Sequence, residues 1–278
     1  MEISKPVELI RGEPVVDGAG VKLNRIIGNR RVNDVDPFVL LDEFRSDDPD
    51  DYVAGFPTHP HRGIETITYM IQGVFDHKDS KGNGGSLTPG TVQWMTAGRG
   101  ILHSEMPGQT DGPLWGYQLW LSLRAKDKMI PPQYQHLSAE MMPWVEWEGG
   151  RLKAISGRYG DVEGPARNRV PATYFDVRLN RGVMYEHTVN RNQVKFIYVH
   201  TGALSVGPEG DVVDMGEMSI MDERPGIVLE GLEEQNGFLF IAGVPNNERI
   251  VRGGPFVMNT EEEIAQAFED YRSGRLQA

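Results

Sequence analysis

The chain has 278 residues with 40 acidic and 28 basic side chains, and its net charge of −12 opposes binding to a nucleic-acid backbone, which needs clustered cations. It contains no cysteine, which excludes disulfides, thiolate metal ligands and cysteine nucleophiles. The first residues, Met1-Glu2-Ile3-Ser4-Lys5-Pro6, lack the pattern of a signal peptide and no apolar run approaches a membrane span, so a soluble cytoplasmic protein of two ordinary domains is expected.

In chain order, Val32 to Phe44 reads as a strand and Ser46-Asp47-Asp48-Pro49-Asp50-Asp51 as a solvated acidic loop. Ile64 to Ile71, rich in Ile, Thr and Tyr, is a strand ending at Gln72-Gly73. Val74 to His77 starts the next strand, and Gly82-Asn83-Gly84-Gly85 should close a hairpin. Thr91 to Thr96, Ile101 to Glu105 and Tyr117 to Leu123 complete this set, with a bend at Gly98-Arg99-Gly100. Pro131-Pro132 and Pro143 break the pattern between Ala125 and Gly150, as a linker would.

Strands resume at Tyr174 to Leu179, Met184 to Val189, Lys195 to His200, Ala203 to Val206, Met218 to Met221 and Gly237 to Ala242, with a hairpin turn expected at Asn236-Gly237. Thr260 and Glu263 form a capping box, and Ile264, Ala267, Phe268 and Tyr271 share one face of a helix that Gly274 ends. The expectation is an all-β chain with a C-terminal α-helix. It divides into an N-terminal domain over residues 1–130, a linker over 131–150 and a C-terminal domain over 151–278, the two halves repeating one strand plan.

Two short pairs carry the chemistry. His59-Pro60-His61 and His103-Ser104-Glu105 each hold two metal-competent side chains at i and i+2, which share a face in a strand. If both strands face one interior, a three-histidine, one-carboxylate site results. It suits iron, manganese, nickel, copper or zinc and is too rich in imidazole for calcium or magnesium. The second half has only isolated histidines, at Glu186-His187 and His200-Thr201-Gly202, and reads as a non-metal copy. His77 and His136 lie outside both pairs and are expected at the surface, while Arg62 and Arg99 are expected in ion pairs.

The segment Phe56-Pro57-Thr58-His59-Pro60-His61-Arg62-Gly63-Ile64-Glu65-Thr66 resembles the first motif of a cupin. The segment Pro89-Gly90-Thr91-Val92-Gln93-Trp94-Met95-Thr96-Ala97-Gly98-Arg99-Gly100-Ile101-Leu102-His103-Ser104-Glu105-Met106-Pro107 resembles the second. Together with Phe38 to Phe44 and Gly254 to Thr260, they closely resemble the pirin family of two-domain cupins.

The resemblance implies two jelly-roll-like cupin β-barrels face to face, with iron(II) held in the N-terminal one by His59, His61, His103 and Glu105. Glu65 points inward with His59 and His61 by strand parity, and would orient a ligand histidine through its second ring N–H. The resemblance also implies a quercetin 2,3-dioxygenase-like reaction of a small aromatic substrate with O2, in which Glu105 is the catalytic base. Phe56, Trp94, Met95, Met106 and Trp115, near the ligands in sequence, are expected to wall the substrate pocket. The competing expectations are a non-catalytic iron-binding regulator, acting on transcription or on a metabolic enzyme through a protein partner, and a metal-free or sugar-binding cupin.

Overall fold

The computed structural model describes residues 2–278. Its strands gather into two compact units, each built mainly on a pair of antiparallel sheets, and the central strands Phe38–Ser46, Ile64–Gln72 and Gln235–Gly243 are buried almost along their whole length. One unit comprises Glu13–Ala139, Asn168–Val170 and Asn246–Ala278, and the other comprises residues up to Gly12, Glu140–Arg167 and Pro171–Pro245.

In the unit that begins at Glu13, a seven-stranded sheet runs in the order Gln133–Leu137, Val92–Thr96, Ile64–Gln72, Leu114–Ser122, Phe38–Ser46, Val21–Ile27 and Glu13–Asp17. Opposite it in this unit is a four-stranded sheet of Phe56–His61, Ile101–Pro107, Phe75–Asp79 and Gly84–Leu87. Apolar clusters fill the space between these sheets, one around Val21, Phe44, Met70 and Phe75, another around Val39, Ile64, Met95 and Ile101. The expected hairpin at Gly82 to Gly85 forms, pairing Phe75 with Leu87.

The other unit repeats the plan. Its seven-stranded sheet is Pro6–Arg11, Glu217–Met221, Val194–Thr201, Gln235–Gly243, Ala172–Asn180, Gly150–Ser156 and Trp144–Trp147. Its four-stranded sheet is Met184–Thr188, Gly226–Gly231, Ala203–Val206 and Asp211–Asp214. A single large cluster, including Phe175, Tyr185, Ile197, Phe238 and Phe240, forms its core.

The units do not follow the continuous boundaries expected from the sequence. The strand Pro6–Arg11 joins the later unit through pairing with Glu217–Met221, and the C-terminal helix joins the earlier one. The segment expected as a linker is structured: Gln133–Leu137 pairs with Val92–Thr96, and Trp144–Trp147 pairs with Gly150–Ser156. Just before it, Lys128 is fully buried and donates from Nζ to Gly63 O, Ser122 Oγ and Val257 O. Asn236-Gly237 makes no hairpin either, since both residues lie inside the strand Gln235–Gly243, opposite Leu179 and Arg178.

The helix Glu261–Arg272 has the expected capping box between Thr260 and Glu263. Its Ala267 packs with Phe256 and Leu276, with Ile264 and Phe268 alongside. Arg62, one residue past His61, donates to Asp270 on the helix at 2.8 Å and to Leu276 O at 3.1 Å, which fixes the helix to the strand that carries the histidines. No helix among the described residues is long and apolar enough to cross a membrane.

Candidate metal centre

The four-stranded sheet of the unit beginning at Glu13 builds the centre. Phe56–His61 pairs antiparallel with Ile101–Pro107 so that His59 lies opposite His103. Directly opposed side chains project from the same face, and the two rings stand 4.4 Å apart, centroid to centroid. His61 shares that face by its i+2 position, 4.8 Å from the ring of His59 and 5.0 Å from that of His103. One nitrogen from each histidine lies within 4.8 Å of the other two.

Backbone carbonyls set the tautomers. His59 Nδ1 is 2.8 Å from Pro57 O and His61 Nδ1 is 3.1 Å from Pro255 O. A carbonyl only accepts, so each Nδ1 carries the hydrogen and each Nε2 keeps its lone pair. These two Nε2 atoms are 3.1 Å apart, a repulsive approach of two acceptors unless a cation or proton lies between them. His103 is buried, and neither of its ring nitrogens has a hydrogen-bond partner among the described residues, a costly state that a metal–nitrogen bond relieves.

Burial, reinforced by the neighbouring histidines, pushes the His61 and His103 imidazoles well below the usual histidine range and keeps them neutral. Neutral imidazoles with converging lone pairs fit a first-row transition-metal ion.

Glu105 faces the same cavity, next to the histidines. A register slip between His103 and Glu105 brings the carboxylate opposite Phe56 on one side, and on the other it faces His77. Thr68 Oγ1 donates to Glu105 Oε1 at 2.7 Å and Gln118 Nε2 donates to Oε2 at 3.0 Å, so the opposite sheet orients the carboxylate. Glu105 stands outside the close group of three histidines, and each of its oxygens can accept further bonds.

Glu65 has a different role from the one expected. Gly63, at φ +80° and with Val257 O where a Cβ would sit, ends the histidine strand, so parity does not carry from His61 to Glu65. The Glu65 carboxylate is buried and accepts hydrogen bonds from Thr96 Oγ1 at 2.8 Å, from the Val170 N–H at 2.9 Å and from the Arg169 N–H at 3.1 Å. Burial pushes its pKa up in spite of these donors, and no histidine is among its partners.

Other expectations divide. Phe56 lines a cavity of about 600 Å³ that also meets His59, His61 and Glu105. Trp94 and Met95 are instead fully buried core residues, and Trp115 turns its indole N–H to Glu43 and its face to Arg45. Met106 does not reach the cavity wall. Leu40, Phe44, Phe75 and Trp120 line the cavity, and the sequence reading missed them. The i, i+2 relation of Gln118 and Trp120 within one strand was the signal available for the tryptophan.

His77 is buried, not superficial. Its ring stacks 5.0 Å from Tyr134 and lies 5.4 Å from that of His103, because its strand borders the Ile101–Pro107 strand. His136 is exposed as expected. Arg62 forms its ion pair, whereas the Arg99 Nε is buried without a hydrogen-bond partner.

In the later unit His187 and His200 do not converge. His187 packs among Tyr159, Phe175, Tyr185 and Phe240, where burial pushes its pKa down to about 4, and His200 bonds Asp176. Among the described residues only His59, His61 and His103 form a three-residue metal-binding group.

Comparisons with known proteins agree with the two-unit fold. Residues 20–121 match the family Pirin, and residues 174–277 match the Pirin C-terminal cupin domain. The chain is 44% identical over 277 residues to a candidate quercetin 2,3-dioxygenase of Pseudomonas aeruginosa, covering 97% of both chains. It is 38% identical over 263 residues to human pirin, covering 93% of this chain and 89% of that protein. The crystal structure of a quercetin 2,3-dioxygenase from Acinetobacter baumannii superposes with a TM-score of 0.91 at 32% identity, covering 99% of each chain.

Proposed function

The chain belongs to the pirin family of two-domain cupins, and we propose that it is a metal-dependent dioxygenase that opens the ring of a flavonol or a related enolisable aromatic with O2. The observation that carries this reading is the pair of Nε2 lone pairs on His59 and His61, which line the cavity, aimed at each other beside the unpartnered His103. Held by these three histidines, with Glu105 as the fourth donor, a transition-metal ion supplies a Lewis acid and a redox-active centre at the cavity wall. Iron(II) is the ion we propose, although the same ligand types also take manganese, nickel, copper or zinc.

The protein's own groups do the rest. Phe56, Phe44, Phe75 and Trp120 offer flat apolar surfaces to an aromatic ring and keep bulk water away from it. Glu105, oriented by Thr68 and Gln118, takes the proton of the substrate's hydroxyl and keeps it on the carboxylate until the product leaves. Gln118 holds the base in position, because its amide nitrogen reaches Oε2 from the opposite sheet. A flavonol would gain both atoms of O2 and release carbon monoxide on ring opening.

The test is anaerobic reconstitution with Fe(II), followed by O2 admission while oxygen uptake and quercetin absorbance are recorded. Stoichiometric uptake with bleaching is expected. Absence of turnover with iron, manganese, nickel, copper and zinc in turn would overturn the reading.

A further inference from the structure

Two arginines reach the cavity, and they are in different states. Arg25 is engaged by carboxylates, with Nε and Nη2 bonded to Asp42 at 2.9 and 2.7 Å and Nη2 also bonded to Asp17 at 2.7 Å. Arg252 makes a single hydrogen bond, from Nη1 to Val39 O at 3.2 Å, and forms no ion pair among the described residues. Its guanidinium has five N–H donors, so most of its bonding capacity remains on a half-buried side chain at the cavity wall.

Arg252 is also tied to the metal centre. Its guanidinium lies 5.2 Å over the ring of Trp120, and the same indole packs 4.8 Å from the ring of His61. The strand Val251–Gly253 that carries it pairs with Phe256–Met258, and between them Pro255 gives the carbonyl that fixes the His61 tautomer. The hairpin that orients a ligand histidine therefore also presents the cation.

We propose that Arg252 is a specificity-determining residue: it receives an ionised oxygen, a carboxylate or phenolate, on an aromatic substrate whose chelating oxygens face the three histidines. The inference deepens the dioxygenase reading and rests on it for the chelating end of the substrate. A planar fork of donors matches a carboxylate, while a neutral hydrocarbon edge would desolvate the guanidinium and return no hydrogen bond. The chain's net charge of −12 repels anions at long range, so any preference for an acidic aromatic must arise locally.

The matched probes are 3-hydroxyflavone and its 4′-carboxylate, titrated anaerobically into the metal-loaded full-length protein while tryptophan fluorescence is followed. The wild type is expected to bind the carboxylate about ten- to a hundredfold more tightly, the range for a charge-assisted hydrogen bond. Arg252→Gln should lose that preference and Arg252→Lys should keep part of it, both with unchanged metal content. Equal affinity for the two probes in the wild type, binding of neither, or a preference that survives Arg252→Gln would each overturn the proposal. Should Arg252→Gln misfold, the wild-type comparison and Arg252→Lys still decide. Oxygen uptake with 3-hydroxyflavone is measured separately: its absence counts against the dioxygenase reading while leaving the binding preference to stand or fall alone.

Discussion

His59 Nε2 and His61 Nε2 face each other at 3.1 Å with both Nδ1 hydrogens committed to backbone carbonyls, of Pro57 and Pro255. The protein thus holds two lone pairs together before any ion arrives, and a bound cation converts that repulsion into two bonds. Removing the metal with a chelator should therefore lower the melting temperature. At metal one hundred times its Kd the stabilisation is about 2.7 kcal/mol, or roughly 5–10 °C in a chain of this size. Calorimetry with and without one equivalent of metal checks it, and His61→Ala should abolish both the shift and stoichiometric metal by elemental analysis.

Glu105→Gln keeps a side chain of the same shape beside Thr68 and Gln118 but removes the proposed base. Turnover should fall by about 10²- to 10⁴-fold, the usual contribution of a positioned general base. Gln118→Ala leaves the carboxylate in place but removes its Oε2 donor, so a smaller loss is expected. Oxygen-electrode rates on the two variants at equal metal loading separate base from positioning group.

Glu65 gives a contrast within the same motif. Its carboxylate satisfies the backbone N–H groups of Arg169 and Val170, so Glu65→Ala leaves buried donors unpaired at a cost of about 1–3 kcal/mol. Stability to urea should drop while metal content stays stoichiometric. Loss of metal at normal stability would instead restore Glu65 to the role of a histidine-orienting group.

Asp176 sets an acid limit on the later unit. Its burial favours the protonated form, yet the Arg178 charge and the hydrogen bond from His200 outweigh it, and the pKa falls to about 2 from the usual 3.8. A depressed carboxylate stabilises the fold above its unfolded pKa, and this contribution is lost as pH falls from about 4 towards 2, a difference of about 2 kcal/mol. Melting curves between pH 2 and 5 should be shallower in pH for Asp176→Asn than for the wild type, even though the variant is less stable at neutral pH.

Much of the fold was legible because strand signals are local. The Gly82 to Gly85 turn and the Thr260–Glu263 capping box are decided within a few residues, and both form as read. No turn forms at Asn236-Gly237 because both residues pair within a strand against Leu179 and Arg178, and the buried Asn236 side chain donates to Leu179 O, partners some 57 residues away that no local pattern reveals. His77 was misjudged for a similar reason: only the pairing of its strand with Ile101–Pro107 buries it.

The sequence by itself determined the candidate ligands. Two i, i+2 pairs put His59, His61, His103 and Glu105 on strand faces, since a strand has period two whatever surrounds it. Tertiary structure decided which faces meet and what finishes them. His103 is opposed to His59 by register, Glu65 is diverted by the bend at Gly63, and the carbonyl of Pro255 and the side chains of Trp120 and Arg252 arrive from distant strands. A contact across 194 residues between His61 and Pro255 leaves no trace in local spacing, because it exists only once both strands have packed into the same unit.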